Sequence, residues 1–199
     1  MKDQPFALLL LALGVALPAT ALTPPLSTAE AAAQPPASRT LLPQDRGFVD
    51  AFVTAGLAVI ETGELAGRLA DDPELRRLGS RLAADFAAAN RRLAELLGPM
   101  QLAPLPDEPD AEHKAIADRL RESGAADFDH LYLELQQRDH RDLVALLEMQ
   151  MGVGENAELK KFAAELLPQL RANLQRISKL AESMKAGAPP CRDCPAASP

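Results

Sequence analysis

An all-α bundle is the fold class this sequence predicts, on three observations. Four long apolar stripes run between about Asp45 and Lys185, and their steps of three and four residues keep each set on one helix face. Aromatic residues make up 4% of a chain that is 47% hydrophobic, and Trp is absent, so the Ala- and Leu-rich remainder suits helices packed closely through small side chains. Pro, Gly and Asp gather between the stripes, where helices end and begin.

The first helix is predicted to start at Asp45, whose carboxylate can cap unpaired backbone N–H groups. Phe48, Phe52, Ala55 and Val59 line its inner face, with Val53, Leu57 and Ile60 widening it. Gly56, Gly63 and Gly67 are costly inside a helix and suggest that a second helix comes close. Asp71 and Asp72 end this segment. Asp72-Pro73-Glu74 then reads as an N-cap, a proline at the first helical position and an acid in the first turn. The second helix carries Leu75, Leu78, Leu82, Phe86, Ala89, Leu93 and Leu96 on one face and stops at Gly98-Pro99.

A Pro-rich link follows from Gly98 to Asp110, then a short helix over about Ala111–Glu122 and a stop at Ser123-Gly124. The connection is far longer than the roughly 2–8 residues usual between neighbouring bundle helices. It predicts a crossover between the two halves, which makes the bundle ferritin-like. The third long helix runs from near Asp127 to Met151, with Gly152 and Gly154 as its stop. The fourth runs from near Asn156 to about Lys185 on the stripe Leu159, Phe162, Leu166, Leu170, Asn173, Ile177, Leu180, Met184. Pro168 falls within it and predicts a kink rather than a break.

Outside the bundle domain, residues 45–186, the chain is punctuated by proline. Phe6–Leu17 is an apolar run of signal-peptide length, and Ala19-Thr20-Ala21 fits a small-residue cleavage site. The reading is a signal peptide over residues 1–21, a mature start near Leu22 and a periplasmic or otherwise exported location. The rival is an uncleaved anchor, against which stands an apolar run short of the ~20 residues that span a bilayer. Residues 22–44 read as a disordered Ala/Pro-rich leader, and residues 187–199 as a disordered tail. Net charge is -7, so the surface repels phosphate backbones and anionic membranes alike. No nucleic-acid partner and no integral span after processing are expected; a protein partner or homo-oligomer stays open.

The residues able to carry chemistry are few. His140 shares a helix flank with Leu133, Val144, Leu147 and Met151 and so points partly inward. It reads as a core or core-edge histidine bonded to a neighbour, as a metal ligand or proton carrier, or as a plain surface residue. Asn173 interrupts the fourth stripe; a buried Asn pairs with another polar group, and His140 is one possible partner. Glu61 and Asp85 flank core positions. A complete di-iron site is missing, because such a site needs about four inward carboxylates and two Glu-x-x-His pairs, whereas Gln137 precedes His140 by three. Cys191-Arg-Asp-Cys194 has redox and metal-site spacing, but no second pair completes a zinc site and no βαβ setting makes it thioredoxin-like. In an oxidising compartment a local Cys191–Cys194 disulfide is the leading reading; intermolecular bridging and soft-metal capture are the others.

Several stretches resemble the exported bacterial family called domain of unknown function 4142. They are Ile60-Glu-Thr-Gly-Glu-Leu-Ala66 with Asn90 downstream, Phe128-Asp with Tyr132, Gln136 and His140, and Leu159-Lys-Lys-Phe-Ala163 with Leu167-Pro168. The match covers roughly Phe48–Leu180 and implies a four-helix bundle, export and no established activity. The family tends to carry a histidine in each of three helices. Here the resemblance puts Phe86 and Asn173 at two of those positions and leaves His140, with Glu61 and Asp85 at acidic ones.

Two functions follow. One is a non-catalytic envelope protein without a cofactor, in a structural, stress-related or partner-binding role. The alternative is a metal-binding or redox ferritin-like protein using a transition metal at Glu61, Asp85 and His140.

Overall fold

A computed structural model describes residues 41–100 and 104–187. The proposed signal peptide, almost all of the leader and the Cys191–Cys194 tail lie outside the described residues. Helix α1 is Pro43–Leu69, α2 Pro73–Leu97, α3 Ala111–Glu122, α4 Ala125–Val153 and α5 Ala157–Gly187; a 3-10 turn, Gly98–Met100, follows α2. No strand occurs among the described residues. The four long helices are those the periodicity predicts, and α3 is the crossover helix.

Helices α1 and α2 form one hairpin and α4 and α5 the other; α1 packs on α4, α2 on α5, and α3 lies against α1 and α4. The predicted α2 face is buried from Leu75 through Leu93, while Leu97 replaces the half-buried Leu96 at its end. Asp72 caps α2 as expected, accepting from the amides of Glu74 and Leu75 at 2.6 and 3.1 Å. Asn156 caps α5, accepting from Glu158 and Leu159 at 3.0 Å each. Helix α5 continues across the exposed Pro168 without a break.

Asp45 does not start its helix. Helix α1 begins at Pro43, a proline whose missing N–H is no loss at a helix start, and the preceding Leu42 makes no side-chain cap. Asp45 instead points across the bundle and is buried. Its carboxylate accepts from the amides of Glu155 and Asn156 at 3.1 and 3.0 Å and from Gln150 Nε2 at 2.7 Å. It therefore tethers the α4–α5 turn. Asp129 on α4 does the reverse, accepting from the amides of Asp71 and Asp72 in the α1–α2 turn at 3.1 and 2.9 Å.

Each hairpin thus clamps the turn of the other. One shift of 84 residues carries Asp45 onto Asp129 and the cap Asp72 onto the cap Asn156. The same shift carries Leu75, Leu78, Leu82, Phe86, Ala89 and Leu93 onto Leu159, Phe162, Leu166, Leu170, Asn173 and Ile177. The two hairpins are repeats of one pattern.

The close approach suggested by the α1 glycines is realised at Gly63, where an added Cβ would lie 2.6 Å from the Gly79 carbonyl oxygen. At Gly79 it would lie 2.6 Å from Ala66 Cβ. The α1 and α2 backbones meet at this pair, and no side chain fits between them.

Candidate functional site

The inner stripe of α4 is unusually polar. Asp129, Tyr132, Gln136, His140, Leu143, Leu147 and Gln150 follow one another at steps of three and four, and all are buried. Gln136 Nε2 donates to Thr62 Oγ1 at 3.1 Å, and that hydroxyl donates to the Ala58 carbonyl at 2.8 Å. His140 Nδ1 lies 3.0 Å from the Gln136 carbonyl oxygen. A carbonyl only accepts, so Nδ1 carries the proton and Nε2 is left as a bare acceptor. Nε2 has no partner, nor do the Tyr132 hydroxyl, Gln136 Oε1, the Asn90 side-chain amide or Asn173 Nδ2.

Burial governs the electrostatics of this layer. It pushes the His140 imidazole down to about 4, although the hydrogen bond to the Gln136 carbonyl favours the charged ring. Burial likewise pushes the Tyr132 phenol up, and the Asp139 charge adds to this. Asp139 is itself raised by burial, against the pull of neighbouring Arg138. At neutral pH the layer therefore holds a neutral imidazole and a neutral phenol.

The positions singled out from the sequence separate into two groups. Phe86 meets the His140 ring edge-on, with centroids 5.7 Å apart and planes at 90°. Asp85, Phe86 and Asn173 line one narrow cleft between α2 and α5. Glu61 sits elsewhere, in an ion pair with Arg121 of the crossover helix. Asn173 does not bond His140; its Oδ1 accepts from Arg176 at 2.9 Å. Among the described residues no group of three or more His, Cys, Asp or Glu comes together as metal donors. A transition metal needs more than one imidazole beside a phenyl ring, so the residues at His140 do not fit such an ion. Cys191 and Cys194 lie outside the described residues.

The model of the domain of unknown function family DUF4142 matches residues 27–180. The chain belongs to this family. Comparison with curated proteins finds no significant match. Two solved structures are similar to this DUF4142 chain. One is the crystal structure of a DUF305 fragment from Deinococcus radiodurans, with 15% identity over 72% of this chain and 98% of that one and a TM-score of 0.64. The other is CopM in the Cu(II)-bound form, with 17% identity over 70% and 97% of the two chains and a TM-score of 0.60. At these identities the likeness is one of fold, and it supports the ferritin-like bundle.

Asp129, Thr62 and Gln150 were not singled out from this DUF4142 sequence as buried polar residues. A signal existed: all lie in phase with apolar core positions of their helices. A polar residue in phase with a stripe is indistinguishable from a solvated flank residue until its partner, here on another helix, is known.

Proposed function

We propose that this DUF4142 protein is exported, that its signal peptide is removed near Ala21, and that it acts by binding a partner rather than by catalysis. The observation that carries this reading is the convergence of Phe86, His140 and Asn173 at the centre of the bundle. Two of the three positions at which the family tends to carry histidine hold side chains that cannot act as imidazole donors, and the third holds a neutral, buried ring. The interior is filled by packing. The surface is what remains available to a partner. Export rests on the apolar run Phe6–Leu17 with Ala19-Thr20-Ala21, and no helix among the described residues is long and apolar enough to cross a membrane.

The second reading, a metal-binding or redox protein, is favoured by the fold likeness to CopM in its Cu(II)-bound form. Of its three candidate residues, His140 packs against Phe86, Asp85 lines the α2–α5 cleft, and Glu61 is paired with Arg121. One experiment separates the two. The mature protein is isolated from the exported fraction, its N-terminus is sequenced and its metal content is measured. The expected result is a start near Leu22 and less than stoichiometric copper, iron or zinc. Stoichiometric metal that disappears in His140→Ala would replace the first reading with the second. An N-terminus still at Met1 would replace the cleaved signal with an anchor.

A further inference from the structure

The seam between α2 and α5 changes character along its length. At one end Arg92 pairs with Glu165 and lies over the Phe162 ring, 5.5 Å from its centroid. Inter-helix cations are matched by acids elsewhere too: Arg171 with Glu148 across α4 and α5, and Arg121 with Glu61 across α3 and α1. The far end of the α2–α5 seam breaks this pattern. Arg77 and Arg81 on α2 face Arg176 and Lys179 on α5 around a groove of about 480 Å³. Among the described residues none of the four makes an ion pair, although the chain as a whole carries a net charge of -7. Glu74 is the one acid in the lining.

Counted from the Arg92–Glu165 pair along antiparallel helices, Arg81 falls near the level of Arg176 and Arg77 near that of Lys179, about one helical turn away, roughly 5–6 Å along the axis. Two cations at one level balance one dianion, and a phosphate monoester carries about −1.5 to −2 charges near neutral pH. Arginine also presents the planar fork that matches phosphate oxygens. At the Arg77–Lys179 level the groove floor is formed by the buried Leu78 and Leu180. The groove is far larger than a single phosphate.

We propose that this groove binds a phosphorylated ligand, whose phosphate charge is balanced by cations paired across the two helices. Phosphate groups sit at the Arg81–Arg176 and Arg77–Lys179 levels. The site adjoins the interior layer around His140 through Arg176, which also donates to Asn173 Oδ1 at 2.9 Å. An uncompensated cation pair across a helix seam repels itself, so occupancy stabilises the bundle as well as filling the groove.

The test uses the mature protein with two probes: tripolyphosphate by calorimetry, and phosphatidylcholine vesicles with or without phosphatidic acid by co-sedimentation. Each is repeated with Arg81→Glu, Arg77→Glu and, as a control, Arg91→Glu on the exposed part of α2 away from the groove. Arg81→Glu places an acid opposite Arg176, as Glu165 stands opposite Arg92, so its melting temperature without ligand should equal or exceed that of the wild type. The expected result is saturable binding of one probe that raises the wild-type melting temperature, falls roughly tenfold or more in each groove variant and survives in the control. Tripolyphosphate as that probe identifies a soluble phosphorylated ligand; phosphatidic acid vesicles identify a lipid headgroup. Binding of neither, or binding that is equally strong in Arg81→Glu or equally lost in Arg91→Glu, would overturn the proposal.

Discussion

His140 is held neutral by its surroundings, and its proton has a measurable effect on folding. The free side chain titrates near 6.5, and the folded one near 4. Above both values His140 is neutral in either state and contributes no pH dependence. As pH falls through 6.5, the unfolded chain takes up a proton that the folded chain refuses, so stability is lost between about 6.5 and 4 and the loss levels off below. At about pH 4.5 this amounts to roughly 2–3 kcal/mol, from ~1.4 kcal/mol per unit of difference. Asp139, raised by burial, acts with the opposite sign across the carboxylate range and is common to wild type and variant. Urea unfolding of wild type and His140→Leu at about pH 7 and about pH 4.5 isolates the term, and the wild type should lose the larger amount on acidification. Equal losses would mean that the imidazole takes its proton inside the fold.

At the scale of the element, the glycines and the clamp acids give predictions of known sign. Gly→Ala in a helix ordinarily gains up to about 1 kcal/mol, and Gly47, with nothing within 4 Å of an added Cβ, should follow that rule. Gly79→Ala should reverse it and destabilise by about 1–3 kcal/mol, because the new methyl would meet Ala66 Cβ and the Gly63 carbonyl at 2.6 and 2.8 Å. Thermal melts of the two variants should therefore shift in opposite directions. Asp129→Ala leaves the Asp71 and Asp72 amides without their carboxylate and should cost about 1–3 kcal/mol. Hydrogen exchange should quicken first in the α1–α2 turn, 58 residues away in sequence from the substituted side chain. Faster exchange confined to α4 would show that Asp129 acts only within its own helix.

For the whole molecule, two hairpins share one core and tie each other's turns, and the prediction is that this packing does not depend on residues 188–199. Deleting residues 188–199 should leave the melting temperature nearly unchanged. The Cys191–Cys194 loop is short, and the gain from restricting the unfolded chain shrinks with loop length. Non-reduced mass spectrometry should find both cysteines in one peptide, lighter by two hydrogens than the dithiol. Two thiols or a linked dimer would reject the intramolecular bridge, and a large fall in melting temperature would place the tail on the bundle.

The number of long helices, their faces and the crossover are legible in the sequence, because helical periodicity and breaker residues are local signals. Periodicity also places Phe86, His140 and Asn173 on inner faces one helix at a time. What those side chains meet depends on which helix packs beside them. Asp45 reads as a local cap, yet its carboxylate is used 110 residues away, at the Glu155 amide. Glu61 reads as a candidate ligand, yet an arginine of the crossover helix takes it. Arg77, Arg81, Arg176 and Lys179 carry no local signal that sets them apart in the sequence, and they line one basic groove once α2 and α5 pack together. A side chain's periodicity fixes the direction it faces. What lies in that direction belongs to another helix, and its register is set by packing across the whole bundle.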